Sequence, residues 1–356
     1  MQKITLVARP AIAHVVTEDG KQRILNMSES SIWTDGQAPH PDADYFHIYE
    51  IAGGAQANLR LGSGANGNNF DLGAMGTLTL RGRTLEDYMC QVNLGRLRAY
   101  AGSALRVIYS SSIKDGDSLW RHVLGDIFID AEATLEDPFS ISLANLTQTY
   151  TDNVIAAKIH GDGVLRLFSE NNKATAESPC VVRLTGDNSE LKGRIWVQCK
   201  ATSEGSRYPL LVSVAEAKAL GGDPDVFAED GFHLQTANEG TAILQVEKTM
   251  TVDSALRGWR VDQGTIRMSE GATLSLRSPL RVVTALAKDG PGTLALGATV
   301  PVESQGAKIK IKEGYLMPLT SDCCTRFDVS FSAGCGHCGR CGCCRWDRAR
   351  EGPDGT

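Results

Sequence analysis

Helix patterns are nearly absent from this chain of 356 residues. The best runs over residues 214–220, about two turns at 3.6 residues each, and Gly221-Gly222 stops it. Long apolar runs are missing too. None approaches the roughly 20 residues that a bilayer span needs, so no membrane insertion is expected. Residues 1–16 begin like a leader, but Arg9, Pro10 and His14 interrupt the apolar run of about 7–15 residues that a signal peptide uses. The expectation is therefore no signal peptide, with the protein either staying inside or being a fragment of a longer exported one. Basic stripes and polybasic clusters are lacking, and the formal charge of −6 is spread along the chain. That excludes nucleic acid and anionic lipid as expected partners. Proline is sparse (12) where glycine is abundant (37), a balance that suits short strands joined by tight turns. Cysteine is scarce before residue 320, where only Cys90, Cys180 and Cys199 occur. The other seven crowd between Cys323 and Cys344.

What is present is alternation. From Asp42 onward, short runs place Leu, Ile or Val on one face and Thr, Arg, Ser or Lys on the other. Thr77-Leu78-Thr79-Leu80, Val164-Leu165-Arg166-Leu167, Thr273-Leu274-Ser275-Leu276 and Lys308-Ile309-Lys310-Ile311 are examples. Alternation with period two is the signature of a half-buried strand. Without crossover helices, many short parallel strands can be joined only by coiling the chain into a solenoid. Asn66-Gly67, Asp115-Gly116 and Asp289-Gly290 are hairpin-type pairs. They are irregularly spaced, which keeps a β-sandwich or jelly roll as the second possibility. The fold expected is an all-β, right-handed parallel β-helix.

A phrase recurs on this pattern: two nearby glycines, a variable residue, then Leu-x-Leu. It occurs at residues 73–80, 161–167 and 288–297. Stacked units that cannot bury their apolar faces alone are read from such repetition. Residues 288–297, Lys-Asp-Gly-Pro-Gly-Thr-Leu-Ala-Leu-Gly, resemble the autotransporter-associated β-strand repeat of exported bacterial surface proteins. Glu313-Gly314-Tyr315-Leu316 resembles the close of that repeat. Residues 184–197, with Gly186, Asn188 and Gly193, resemble its middle, and Ala219-Leu220-Gly221-Gly222 fits its recurrent turn. The resemblance covers residues 42–320 loosely and 160–320 well. It implies a right-handed β-helix passenger displayed on, or shed from, a cell surface, adhesive or structural and without catalysis. The family's translocator barrel has no counterpart here.

Three domains follow: an irregular segment over 1–41, a β-helix over 42–320, and a tail over 321–356 that reads as disordered or as out-of-frame sequence. β-Helices also carry polysaccharide hydrolases and lyases, which makes an enzyme of that kind the alternative. Glycoside hydrolysis needs two carboxylates about 5–9.5 Å apart. Asp126 and Asp130 share a strand face but are separated by roughly 13 Å at 3.3 Å per residue, so Asp137 or a neighbouring turn would have to contribute. The ordinary reading of all three is turn and face carboxylates. Ser63 to Asp71 and the group Asp223, Asp225, Glu229 and Asp230 are read as solvated loops before they are read as cation sites. Trp33, Trp120, Trp196 and Trp259 could stack on sugar rings, though a strand aromatic more often belongs to a core. Polysaccharide or host cell-surface glycan is the expected partner.

Cys180 and Cys199, nineteen residues apart, are expected to stack on successive turns, where strands lie about 4.8 Å apart, close enough for a disulfide or else as two buried thiols. Cys335, Cys338 and Cys341 have the spacing of a zinc or iron–sulfur knuckle. No second knuckle pairs with them, so they are read as tail residues, and no cofactor is expected.

Overall fold

In the computed structural model the chain coils into a parallel β-helix. The structure describes residues 77–87, 91–108, 120–144, 152–171, 174–199, 208–236, 241–297, 304 and 306–318. It also describes the strands Ile4–Val7, Leu25–Asn26, Ala43–His47, Leu59–Leu61, Asn69–Asp71 and Phe327–Phe331. Each full turn lays down three strand positions, so the coil has three faces. One turn runs through the first two faces in the single strand Trp120–Ile129 and reaches the third in Phe139–Ala144. The next repeats the order with Asp152–Ile155, Lys158–Gly161 and Leu165–Ser169. Every strand pairs in parallel with its counterpart one turn away: Trp120 with Asp152, Asp126 with Lys158, Phe139 with Leu165. This is the only way parallel strands can neighbour one another without long crossovers.

Alternation decides what fills the bore. Leu78, Leu97, Ile127 and Ile159 occupy the second-face interior, and Phe139, Leu165, Ile195, Phe232 and Trp259 occupy the third. All are essentially inaccessible to solvent. Burying one such side chain stabilises by about 1.5–3 kcal/mol. A turn supplies several of them, and its exposed strand edges are satisfied by the turns above and below.

Turn length changes along the rod. Cys180 pairs with Leu210, about 30 residues on, whereas Thr265 pairs with Ala287 and Ala307 with Phe327, only about 20 residues on. The short turns coincide with residues 257–331, where Arg257–Met268 and Leu280–Asp289 each run from the third face into the first of the following turn without a loop. The second face is interrupted where the turn length begins to change. There the expected two-turn helix is a single 3-10 turn, Ala217–Leu220, preceded by the strand Leu210–Val214. Val212 and Val214 are drawn into the bore by parallel pairing, and this outweighs the helical spacing of the segment. The 3-10 turn still occupies the second-face position: Asn188 donates to the Lys218 carbonyl and Gly222 to that of Leu191.

The motif residues prove to be corner fittings. Lys288 lies in the bore between Ile266 and Ile311, fully buried. Its ammonium donates to the carbonyls of Asp289, Gly290 and Glu313. Gly290 turns the corner at φ 74°, in the left-handed region, and a side chain there would meet the Met268 carbonyl. Leu294 stacks between Leu274 and Leu316. Asn188, also buried, accepts from the Ile159 amide and donates to the Ala219 carbonyl, joining three turns. At the corner from second to third face, the buried Arg257 donates to the carbonyls of Leu191, Gly193, Gly222 and Gly231.

Three expectations need adjustment. The glycine-Leu-x-Leu phrase does not mark one position in the turn: residues 73–80 and 288–297 lead into second-face strands, but 161–167 leads into a third-face strand. A glycine corner followed by alternation suits any corner. Cys180 and Cys199 do not stack on one another. Cys180 pairs with Leu210 on the first face and Cys199 with Thr236 on the third, and both are buried free thiols. The turn here is about 30 residues long, not nineteen. The ladder also passes both expected domain limits, since Ile4–Val7 pairs with Ala43–His47 and Phe327–Phe331 with Ala307–Ile311. A short strand with weak alternation is held there by the hydrogen bonds of its neighbour.

Candidate ligand-binding face

The outward positions of the third face form a continuous ladder. Because the strands pair in register, Ser140, Arg166, Trp196, His233, Arg260 and Arg281 stand one above another. Ser142 pairs with Arg106 on one side and Phe168 on the other, and Gln198 pairs with Gln235. The same alternation that sends Leu165, Ile195 and Phe232 inward sends these residues outward.

Their contacts are built from planar and charged groups. The rings of Trp196 and His233 are nearly parallel, 6° apart in plane with centroids 5.8 Å apart. The Arg166 guanidinium lies 5.1 Å from the Phe168 ring centre, and its Nε donates to Ser140 Oγ at 2.9 Å. Gln198 donates to Gln235, which donates to Asp262. Asp262 also meets Arg260 at 2.6 Å and His233 Nε2 at 3.2 Å. Burial works to raise the Asp262 pKa, but the neighbouring His233 ring and the bonds from Arg260 and Gln235 overcome it and hold the carboxyl well below the usual carboxylate range.

Around Ser140 and Arg166, and extending toward the preceding strands Thr84–Asp87 and Ala104–Ile108, this face opens into a groove of about 460 Å³. Arg106 crosses the floor, with Nη2 at 2.7 Å from Glu170 and Nη1 at 3.6 Å from the buried Glu86. Glu136, Asp137 and Arg166 also line it. Glu136 is fully exposed. Its own backbone amide and the Thr134 hydroxyl hold its pKa below the ordinary value, so it is ionised at neutral pH and cannot serve there as a proton donor.

The three carboxylates singled out in the sequence are divided by the fold. Asp126 faces outward on the second face, 2.5 Å from His160 Nε2. Asp130 directly follows the same strand and accepts from the Glu132 amide in a turn. Asp137 alone lines the groove. Asp126 and Asp137 therefore serve different faces. The groove's other charged residues, Arg106, Arg166, Glu136 and Glu170, escaped the sequence reading. Three are outward or end positions of third-face strands, a signal available in the alternation once the face is known.

Of the tryptophans, Trp259 lies in the bore against Phe232, with ring centroids 4.5 Å apart, and only Trp196 has a described outward position. The side chains of Trp33 and Trp120 lie outside the described residues, as do Asn66, Asn68 and the whole of Cys335, Cys338 and Cys341. In the acidic group, Asp225 meets Lys192, Asp230 meets Arg194 and Glu229 meets Arg281, each at 2.8 Å. Among the described residues no three His, Cys, Asp or Glu side chains are grouped to hold a metal ion, and no helix is long and apolar enough to cross a membrane.

No protein-family model, curated protein or solved structure matches the chain.

Proposed function

We propose that the protein is a non-enzymatic, passenger-like rod, displayed on or shed from a bacterial cell surface, that holds glycan along the third face. The observation that carries this reading is the unbroken ladder from Ser140 through Arg166, Trp196, His233 and Arg260 to Arg281, with the groove around its first two members. Neighbouring turns lie about 4.8 Å apart. Arg166, Trp196, Arg260 and Arg281 are partly exposed at that repeat and offer an extended polymer several weak contacts at once, while Ser140 and His233 lie buried between them. A stacked solenoid is stiff and presents such a surface over its whole length. The motifs shared with the autotransporter-associated repeat support surface display.

The test is co-sedimentation of the full-length protein with insoluble polysaccharides, with reducing ends and unsaturated products followed in the same tubes. Binding without product is expected. Product release on any polymer would replace this reading with a hydrolase or lyase, and the groove carboxylates Glu136, Asp137 and Glu170 would then be the first to substitute.

A further inference from the structure

Resting on that glycan reading, we infer that the groove selects a neutral polysaccharide and rejects polyuronates. The charge of the groove carries the argument. Two guanidiniums, Arg106 and Arg166, face the carboxyl groups of Glu136, Asp137 and Glu170, with Glu86 behind Arg106. Arg106 is held between Glu86 and Glu170, and its Nε and Nη2 are both committed to Glu170 at 3.0 and 2.7 Å. It is thus not presented as a fork for an incoming carboxylate, which would need both donors. Arg166 spends its Nε on Ser140 and lies against Phe168.

At the open rim stand Glu136 and Asp137. A uronate entering between them would bring like charges together, which costs affinity and slows approach. A neutral sugar has no such penalty. Its hydroxyls can donate to the exposed carboxylates of Glu136 and Asp137; Ser142 and Phe168 line the groove but are themselves buried. The whole chain, at a formal charge of −6, adds to the repulsion of polyanions.

The experiment measures retention of the full-length protein on neutral glucan and mannan and on pectate and alginate, at low and high salt and with calcium or a chelator. Retention on a neutral polymer that changes less than about twofold with salt, without retention on polyuronate, is the expected result, since exposed-charge interactions are the ones that salt screens. Tighter binding of polyuronate than of any neutral polymer would overturn the selectivity while leaving the glycan reading intact. So would polyuronate binding that appears with calcium and disappears with chelator. Retention on no polymer would overturn the glycan reading itself. The exposed substitution Glu136→Lys, checked for an unchanged circular dichroism spectrum, should raise polyuronate retention about tenfold, a change worth 1.4 kcal/mol. An unchanged preference would remove the rim charge as its cause.

Discussion

The Lys288 ammonium reaches across one turn of the coil to the carbonyl oxygen of Glu313, 2.8 Å away, while its aliphatic stem occupies the bore between Ile266 and Ile311. A lysine in a hydrophobic stack is costly unless its charge is met, and here three carbonyls meet it. Lys288→Met keeps the apolar volume and removes those bonds. It should lower stability by about 1.5–3 kcal/mol, the range for hydrogen bonds to a charged group. Urea unfolding would measure it. An unchanged midpoint would mean that the corner does not depend on the ammonium.

Gly290 and Gly271 separate backbone strain from crowding. Their φ angles are nearly equal, 74° and 70°. A methyl group on Gly290 would lie 2.2 Å from the Met268 carbonyl oxygen, whereas one on Gly271 meets nothing within 4 Å. Gly271→Ala should cost about 1–2 kcal/mol, the left-handed penalty alone. Gly290→Ala should cost clearly more, because the stacked turn must shift. Equal costs by denaturant unfolding would show that the turns give way freely.

Burial pushes the Cys180 and Cys199 thiols up to about 11 from the ordinary 9, in spite of opposing bonds to Ser169 and to the Thr241 backbone. A raised folded pKa means that the contribution to stability is complete below about pH 9 and is lost as pH rises through 11. Both thiols should therefore resist alkylation at pH 8 in the native protein and react at least about a hundredfold faster in denaturant, since the thiolate is the nucleophile. Mass spectrometric mapping of the two sites reads this out. Fast native labelling of either would contradict its burial.

Asp262 titrates with the opposite sign. Its folded pKa is depressed, so its contribution to stability is complete above the unfolded value near 3.8 and is lost as pH falls through the folded value. Asp262→Asn should lose less stability than the parent protein between pH 5 and pH 2, and should loosen the stacking of His233 on Trp196. Urea midpoints across that range test the first effect and tryptophan fluorescence the second. Parallel pH curves for the two proteins would sink the assignment.

How far the fold was legible can be judged from particular residues. Leu78, Leu165, Leu274 and Ile309 alternate with polar neighbours, and each lies in the bore. The period of two fixes which side of a strand is wet before any partner is known. The lack of helical crossovers then leaves coiling as the route to parallel pairing. Alternation does not fix turn length, because the loops between strands vary while the strands do not. Cys180 and Cys199 are nineteen residues apart in a region where a turn takes about 30, so the spacing does not stack them.

The sequence by itself determined that the chain is built of short half-buried strands with glycine corners, because side-chain direction in a strand is a local property. Only the tertiary structure decided which outward residues share a face. Arg166, Trp196 and His233 are separated by about a full turn of chain, and nothing local ties them. Pairing in register, enforced by the backbone hydrogen bonds and by the inward stack of Leu165, Ile195 and Phe232, sets them in one line and brings Arg166 into the groove.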